Sequence, residues 1–310
     1  MKPFISIITP VYNRLHNIKR VYEALKLQTV PVDEWVIADD GSTDGVKEWV
    51  AEEHAFPIKY IYLGENEGYR QGRARNEGVK NASKAAEAFL FLDSDVMLYP
   101  NALELFKEAF NKNSDRVICG QYDWGVPMEF TAEDVATRWD DIVNERMPRI
   151  ENAEPHGMMG TDIRNQSFED TEPDDLHWEL PFALSTFGGN ILVKKEIFLK
   201  PWKTDRPSKH LRLMHNGNHV GMFDTAKEVV GFDGRFTVGI EDGDFGLMTV
   251  AKGFPISLHK YIKGYHIWHP RDIAKIQSIS QEQVPLLNAK HGLDVEEETD
   301  VIQGQEYKIK

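Results

Sequence analysis

Four short apolar runs alternate with segments of helical period through the first hundred residues, and this alternation constrains the fold more tightly than any other feature of the chain. Residues 4–9 (FISIIT), 34–38 (EWVIA), 58–63 and 88–92 (AFLFL) are β-rich and apolar, as buried strands are. Between them, Ile18, Val21, Tyr22 and Leu25 recur at helical spacing, Val46, Trp49 and Val50 mark a second helix, and residues 72–86 read as a third. The pattern predicts an α/β fold with a Rossmann-like, mostly parallel central sheet flanked by helices. In such sheets ligands bind beyond the carboxyl ends of the strands. The polar clusters at residues 9–13, 39–44 and 93–95 all fall at those ends, which points to one shared site.

Beyond residue 100 the pattern loosens. Asn101, with Glu104 three residues on, predicts a capped helix whose apolar face is Ala102, Leu105, Phe106 and Ala109. Residues 117–119 read as a short strand, 132–144 as a helix and 187–193 (FGGNILV) as a return to the sheet. The polar, acidic residues 122–178 suggest a flap or acceptor-binding insertion, and the His-, Asn- and Gly-rich residues 210–220 a loop or lid. The chain thus divides into a first half at 1–100, a smaller second half at 101–270 and a C-terminal helical tail at 271–310.

Composition removes some classes of partner. The 310 residues are 41% apolar and 11% aromatic, enough for a sizeable core, and the net charge is -14 with no basic run. A surface that follows a phosphate backbone needs the opposite sign, so no stable nucleic-acid partner is expected. There is no stretch of 18 apolar residues and hence no expected membrane span. The single cysteine, Cys119, and the lack of signal-peptide character at the N-terminus suit a cytoplasmic location.

Asp93-Ser94-Asp95 follows the strand at 88–92 directly. In an extended segment the two carboxylates project to one side. Together they can hold a hard divalent cation, Mg2+ or Mn2+, that also binds substrate phosphates. A D-x-D is a weak signal alone, because acidic turns after strands are common; its position gives it weight.

FISIITPVYNR, VIADDGSTDG, GRARNEG and FLFLDSDV, in that order over residues 4–100, resemble the nucleotide-binding half of the family 2 glycosyltransferases, which have the GT-A fold. The resemblance implies that Thr9, Pro10, Val11 and Tyr12, with Asn13 beside them, line a nucleoside pocket, and that Asp39 or Asp40 binds the base, usually uracil. It implies that the segment from Arg70 through Arg73 and Arg75 borders the donor phosphates, and that Asp93, Ser94 and Asp95 meet ribose and metal. The residues suit these parts. A carboxylate accepts the imide proton of uracil, Tyr12 offers a ring to stack, and an arginine fork matches pyrophosphate. The alternatives are a solvated helix face for the arginines and, for Arg75, an internal salt bridge.

In the second half, FGGN at 187–190, VGFD at 230–233 and IEDGD at 240–244 resemble a galactosyltransferase or chondroitin-polymerase-like acceptor half. That likeness implies Asp242 as catalytic base and Gly188, Gly189, Asn190 and Glu241 as acceptor contacts; the alternative is an acidic cluster at a helix N-terminus. Trp178 can stack on a sugar, although tryptophans more often fill a core. His266 and His269 in GYHIWHP could share a metal-facing side if that segment were helical, and the resemblance favours His269, then His266, as metal ligands beside Asp95. His210, His215 and His219 lack a metal-binding order.

The expected activity is therefore metal-dependent, inverting transfer of a hexosyl-type sugar from a nucleoside-diphosphate donor, UDP before others, to a glycan or other hydroxyl acceptor. A sugar-nucleotide pyrophosphorylase would need a glycine-rich loop where TPVYNR stands at 9–14. A non-catalytic sugar-nucleotide binder of the same fold would not need both the D-x-D and the E-D pair.

Overall fold

The computed structural model describes residues 2–64, 68, 70–153, 177–178, 189–204, 210–215, 218–224, 227–237, 239–294 and 308–309. In chain order the elements are β1 (Ile5–Val11), α1 (Leu15–Lys26), β2 (Glu34–Asp39), α2 (Val46–Val50), β3 (Ile58–Tyr62), α3 (Gln71–Asn81), β4 (Ala88–Leu92), β5 (Val96–Leu98), α4 (Ala102–Lys112) and β6 (Val117–Trp124). They continue with α5 (Ala132–Thr137), α6 (Trp139–Val143), β7 (His177–Trp178), β8 (Asn190–Lys194), α7 (Lys195–Leu199), β9 (His210–His215) and β10 (Asn218–Asp224). The last are α8 (Ile240–Ala251), β11 (Ile256–His266), α9 (Ile273–His291), β12 (Leu293–Asp294) and β13 (Lys308–Ile309).

Among the described residues nine strands form one sheet in the order β3-β2-β1-β4-β8-β6-β11-β5, with β7 beside β11. The run β3-β2-β1-β4 is parallel, as the strand–helix alternation requires. β8 enters antiparallel between β4 and β6, and β5 lies antiparallel on β11. The two halves read from the sequence are therefore joined by a continuous hydrogen-bonded sheet.

Strand parity builds the two core layers. Ile5, Ile7, Leu90 and Leu92 face α1, α2 and α4, while Ile8, Phe89 and Phe91 face Phe198, Phe232, Phe245 and Leu287 on the other side. All of β1 and β4 is buried because both faces are covered. α3 approaches β1 so closely that the Ile8 side chain occupies the place a Cβ on Gly78 would take.

Several local expectations change. The helix expected over 72–86 ends at Asn81, whose side chain donates back to the Glu77 carbonyl at 2.9 Å. The Asn101 side chain makes no capping bond to α4. The helix expected over 132–144 is two short helices that break at Arg138, the first opened by a reciprocal Thr131–Asp134 capping box. The strand at 117–119 runs on to Trp124, paired with the bulged β11. Within the segment 210–220, read as a loop, the described residues 210–215 and 218–220 are strand, β9 pairing antiparallel with β10. Among the described residues no helix is long and apolar enough to cross a membrane.

The C-terminal helix is part of the core rather than a tail. Lys290 of α9 is fully buried, and its Nζ donates to Asp233 at 2.9 Å and to Asp244 of α8 at 2.7 Å, between the rings of Trp202 and Phe236. Arg235 forks onto Asp233, and His291 Nε2 lies 2.7 Å from Asp244 Oδ1. Burial works to raise the Asp233 pKa, but Arg235 and Lys290 outweigh it and hold the carboxyl down at about 2. Removing the lysine takes the shared buried cation from both carboxylates, leaving Asp233 to Arg235 and Asp244 to His291. Lys290→Met should cost about 3–5 kcal/mol of stability, read as a lower urea midpoint at pH 7.

Candidate active site

At the carboxyl ends of the central strands, one guanidinium gathers three acids. Arg75 lies on the buried face of α3 with Ala74, Gly78 and Val79. Its Nη1 donates to Asp242 Oδ1 at 2.8 Å and to Glu241 Oε1 at 3.4 Å, and its Nη2 donates to Asp93 Oδ1 at 2.8 Å. The guanidinium carbon sits 5.1 Å from the centre of the Phe232 ring. The next residue, Asn76, clamps that phenylalanine's backbone from both sides: its Oδ1 accepts the Phe232 N–H at 2.9 Å and its Nδ2 donates to the Phe232 carbonyl at 2.7 Å. Two glycines make room. A Cβ on Gly72 would press on Phe232 and Glu241, and one on Gly189 would collide with Asp93 Oδ2 and the Tyr122 hydroxyl.

The charges in this cluster are unequal. Glu241 is buried; loss of hydration and then the neighbouring Asp242 outweigh Arg75 and push its pKa up to about 8. Burial, with repulsion from Asp95, also raises Asp93 against the pull of Arg75. Burial would discharge Arg75, but Asp242, Asp93 and Glu241 hold it firmly protonated. The Asp242 side chain retains 11% of its surface exposed against 2% for Glu241, so Asp242 is the member of the pair that faces outward.

The second cluster forms around Asp95. His266 ends β11, where it pairs with Val96 and Trp124, and His269 follows in the next loop. A strand exit, rather than the helix on which the spacing was read, brings the two rings together at 5.6 Å between centroids. His269 Nε2 lies 3.1 Å from Asp95 Oδ2 and His266 Nε2 lies 3.8 Å from Asp95 Oδ1. Their ligand atoms lie within 4.8 Å of one another. His269 Nδ1 is 3.0 Å from the Pro270 carbonyl. A carbonyl only accepts, so in the neutral ring Nδ1 carries the proton and Nε2 turns a lone pair toward Asp95. A carboxylate oxygen facing that nitrogen calls for a shared cation, either a proton on the ring or a metal ion. Burial alone would raise the Asp95 pKa, but His266 and His269 hold it well below the carboxylate range. This donor set fits a divalent metal.

Sequence reasoning missed Arg271. Its Nη2 lies 3.4 Å from His266 Nε2, and its guanidinium lies over the Trp124 ring at 5.2 Å. Burial lowers its pKa, opposed by Asp95 and Asp93. The available signal was an arginine immediately after the H-I-W-H-P run.

The nucleoside-side residues divide between surface and scaffold. Tyr12 is 46% exposed and offers its ring to a ligand. Thr9 is fully buried and its hydroxyl accepts from Trp35 Nε1 at 2.8 Å, so it braces the strand beneath. Pro10 and Val11 are buried in β1. Asn13, in the left-handed region at φ 49°, accepts the Thr43 N–H at 2.8 Å and so locks the first strand exit to the second. Asp39 is fully buried and accepts from the Gly41 and Ser42 amides and from the Tyr60 hydroxyl, an internal role that leaves Asp40 nearer the cleft. Asp40 takes a fork from Arg70, at 2.7 and 3.3 Å, so Arg70 is spent on a carboxylate in this structure. Burial raises the Asp40 pKa, with Arg70 and Arg73 opposing. Arg73 is exposed and Ser94 is buried. Arg75, expected near phosphates, is the internal salt bridge instead. Asn190 is fully buried, its amide donating to the Gln121 carbonyl at 3.0 Å, and Glu241 turns one oxygen to Arg75. Trp178 lies in β7, its side chain outside the described residues, as is the whole of Gly188.

The mixed α/β sheet flanked by helices is the GT-A fold of the glycosyltransferases. Residues 6–167 match the profile of Glycosyl transferase family 2, more than half of the chain, and the chain belongs to that family. It is similar to glycosyltransferase AglE of Haloferax volcanii, 29% identical over 187 residues that cover 57% of this chain and 60% of the relative. It is also similar to the uncharacterized glycosyltransferase YfnE of Bacillus subtilis, 24% identical over 88% of this chain and 67% of the relative. The chain thus spans about 60–67% of the length of these two relatives. Among solved structures, residues 1–349 of S. aureus TarS in complex with UDP-GlcNAc align over 92% of this chain and 66% of that one, with a TM-score of 0.58 and 16% identity.

The raised Glu241 pKa has a consequence for stability. Between the unfolded carboxyl value of about 4.3 and the folded value near 8, the native state binds the extra proton, so this group's contribution falls as pH rises through that window. Glu241→Gln keeps the neutral shape. It should match the native protein at pH 5 and melt above it at pH 8.5, as followed by circular dichroism. Gly189→Ala should displace Asp93 and reduce turnover by at least about tenfold, a loss of about 1.4 kcal/mol in transition-state stabilisation, measured as initial rates.

Proposed function

We propose that this chain is an inverting, metal-dependent glycosyltransferase that moves a sugar from a UDP-sugar to an acceptor hydroxyl. The observation that carries this is the bond from Arg75 to both Asp93 and Asp242, which fixes a D-x-D carboxylate and a candidate base on one guanidinium. Family membership and the likeness to TarS, a structure solved with UDP and with UDP-GlcNAc, support the donor class.

On this reading the exposed Tyr12 ring takes the base, with Asp40 beside it, and Asp93 and Asp95 take the donor at the ribose and diphosphate. Asp95, His269 and His266 would hold the metal, and two imidazoles with one carboxylate favour Mn2+ over Mg2+, which prefers oxygen alone. The ion would supply positive charge against the departing diphosphate. Asp242 accepts the proton of the acceptor hydroxyl as its oxygen bonds to the anomeric carbon and the bond to UDP breaks. That single displacement inverts the centre. Arg75 orients Asp242 through their 2.8 Å hydrogen bond, and neutral Glu241 spares it a second negative neighbour. The single buried cysteine, Cys119, suits a reducing, cytoplasmic setting.

Asp242→Asn should lower transfer by at least about 100-fold, in the range a general base contributes, and leave UDP affinity within about twofold, a change of roughly 0.4 kcal/mol. The assay is UDP release from a donor panel with Mn2+, then with chelator; calorimetry reads the binding. Residual transfer near the native rate in Asp242→Asn would remove the base assignment, and full activity in chelator would remove the metal.

A further inference from the structure

A cavity of about 520 Å3 opens between α1, residues 128–150 and the loop at 267–270. That volume falls within the range of small-molecule sites. His269 is the one residue it shares with the Asp95 cluster; Tyr12, Asp40, Arg75, Asp93 and Asp242 do not line it. Its walls carry an excess of positive charge, the three arginines Arg14, Arg20 and Arg138 against Glu129 and Asp134, with His16 beside them.

These cations are not equivalent. Arg138 is paired with Asp134 and Asp141, and Asp134 is further engaged by Thr131. Arg20 is fixed to the Phe130 carbonyl and to Asn17, with its guanidinium 4.6 Å from the centre of the Phe130 ring. Arg14, half-buried where α1 begins, makes no side-chain hydrogen bond or ion pair among the described residues. It stands close enough to Asp95 to help hold that carboxyl down. A half-buried guanidinium with no acid in direct contact and only the longer-range pull of Asp95, in a cavity lined also by Arg20, Met128, Phe130 and Ile267, is a charge arrangement that an anion completes.

We infer that this cavity is a subsite for an anionic group carried by the acceptor, a phosphate ester or a carboxylate, with Arg14 as its principal contact. The inference rests on the glycosyltransferase reading for the word acceptor, but the anion site itself does not. A donor phosphate is the less favoured source because none of the nucleoside-side residues lines the cavity. Loss of hydration, with the like charges of Arg20 and Arg14, lowers the pKa of His16 against the opposing pull of Asp44.

The test uses the full chain saturated with UDP and Mn2+, titrated with glucose 6-phosphate, glucuronic acid and glucose, and read by calorimetry. The expected result is binding of one or both anionic sugars, the pair separating phosphate from carboxylate, and none of glucose. Arg14→Gln should weaken that binding by about tenfold or more, and His16→Gln by less, with UDP affinity and melting temperature unchanged. Equal binding of glucose, no binding of either anion, or anion binding indifferent to Arg14→Gln overturns the inference. So does a loss of UDP affinity in Arg14→Gln, which would assign Arg14 to the donor. If native protein fails to bind UDP and Mn2+, the functional reading fails, and the same titration without UDP still decides the anion site.

Discussion

Everything in the proposed site depends on where the Arg75 charge is held. A guanidinium removed from water is costly unless acids surround it, and three carboxylates around one cation are costly unless one gives up its charge. The two costs resolve each other. Asp93 and Asp242 take the short bonds at 2.8 Å, and Glu241, more deeply buried and at 3.4 Å, is the acid that burial and Asp242 drive toward the neutral form. The result is a rigid tie between the end of β4 and the start of α8, two elements about 150 residues apart in sequence.

That tie has a second, independent support. Asn76 holds the backbone of Phe232, Phe232 stacks on Phe245 of α8 at 4.5 Å, and Asp233 shares Lys290 with Asp244. Helix α8 is thus fixed by α3 at its first turn and by α9 one turn later. An outward carboxylate on so constrained a helix can be placed to within the tolerance that a general base needs. The network also explains why a helix in the last forty residues matters to a site assembled largely from the first hundred: a fully buried ammonium can only be satisfied by acids that the fold brings to it.

Much of this was legible in the sequence, and the boundary is physical. The parallel strands could be read because burial on both faces leaves continuous apolar runs, and the exits could be read because polar residues gather where those runs stop. The pairing of β8 and β11 with distant strands could not, since short antiparallel insertions carry no periodic signal that names a partner. For the same reason the His266–His269 pair was sought on a helix and found at a strand exit. Arg70 and Arg75 were read as phosphate contacts because an arginine's partner is decided by three-dimensional neighbours. Both are committed here to carboxylates, Arg70 to Asp40 and Arg75 to three acids. Residues 210–220 looked like a loop because His, Asn and Gly are poor strand formers; tertiary context overrides that weak propensity to give the β9–β10 pairing.

The positive and negative groups are also sorted in space, and that sorting limits what the site can do. The Arg75 cluster spends its one cation on its own acids, so it has little attraction left for a diphosphate. Positive potential is concentrated instead around the Asp95 cluster, where His266, His269 and Arg271 all act on one carboxylate. Charge that develops on a leaving diphosphate is best met by fixed cations in a site from which water is partly excluded. In the proposed mechanism, the acid-rich end is the one suited to proton acceptance and the cation-rich end the one suited to departure of the leaving group.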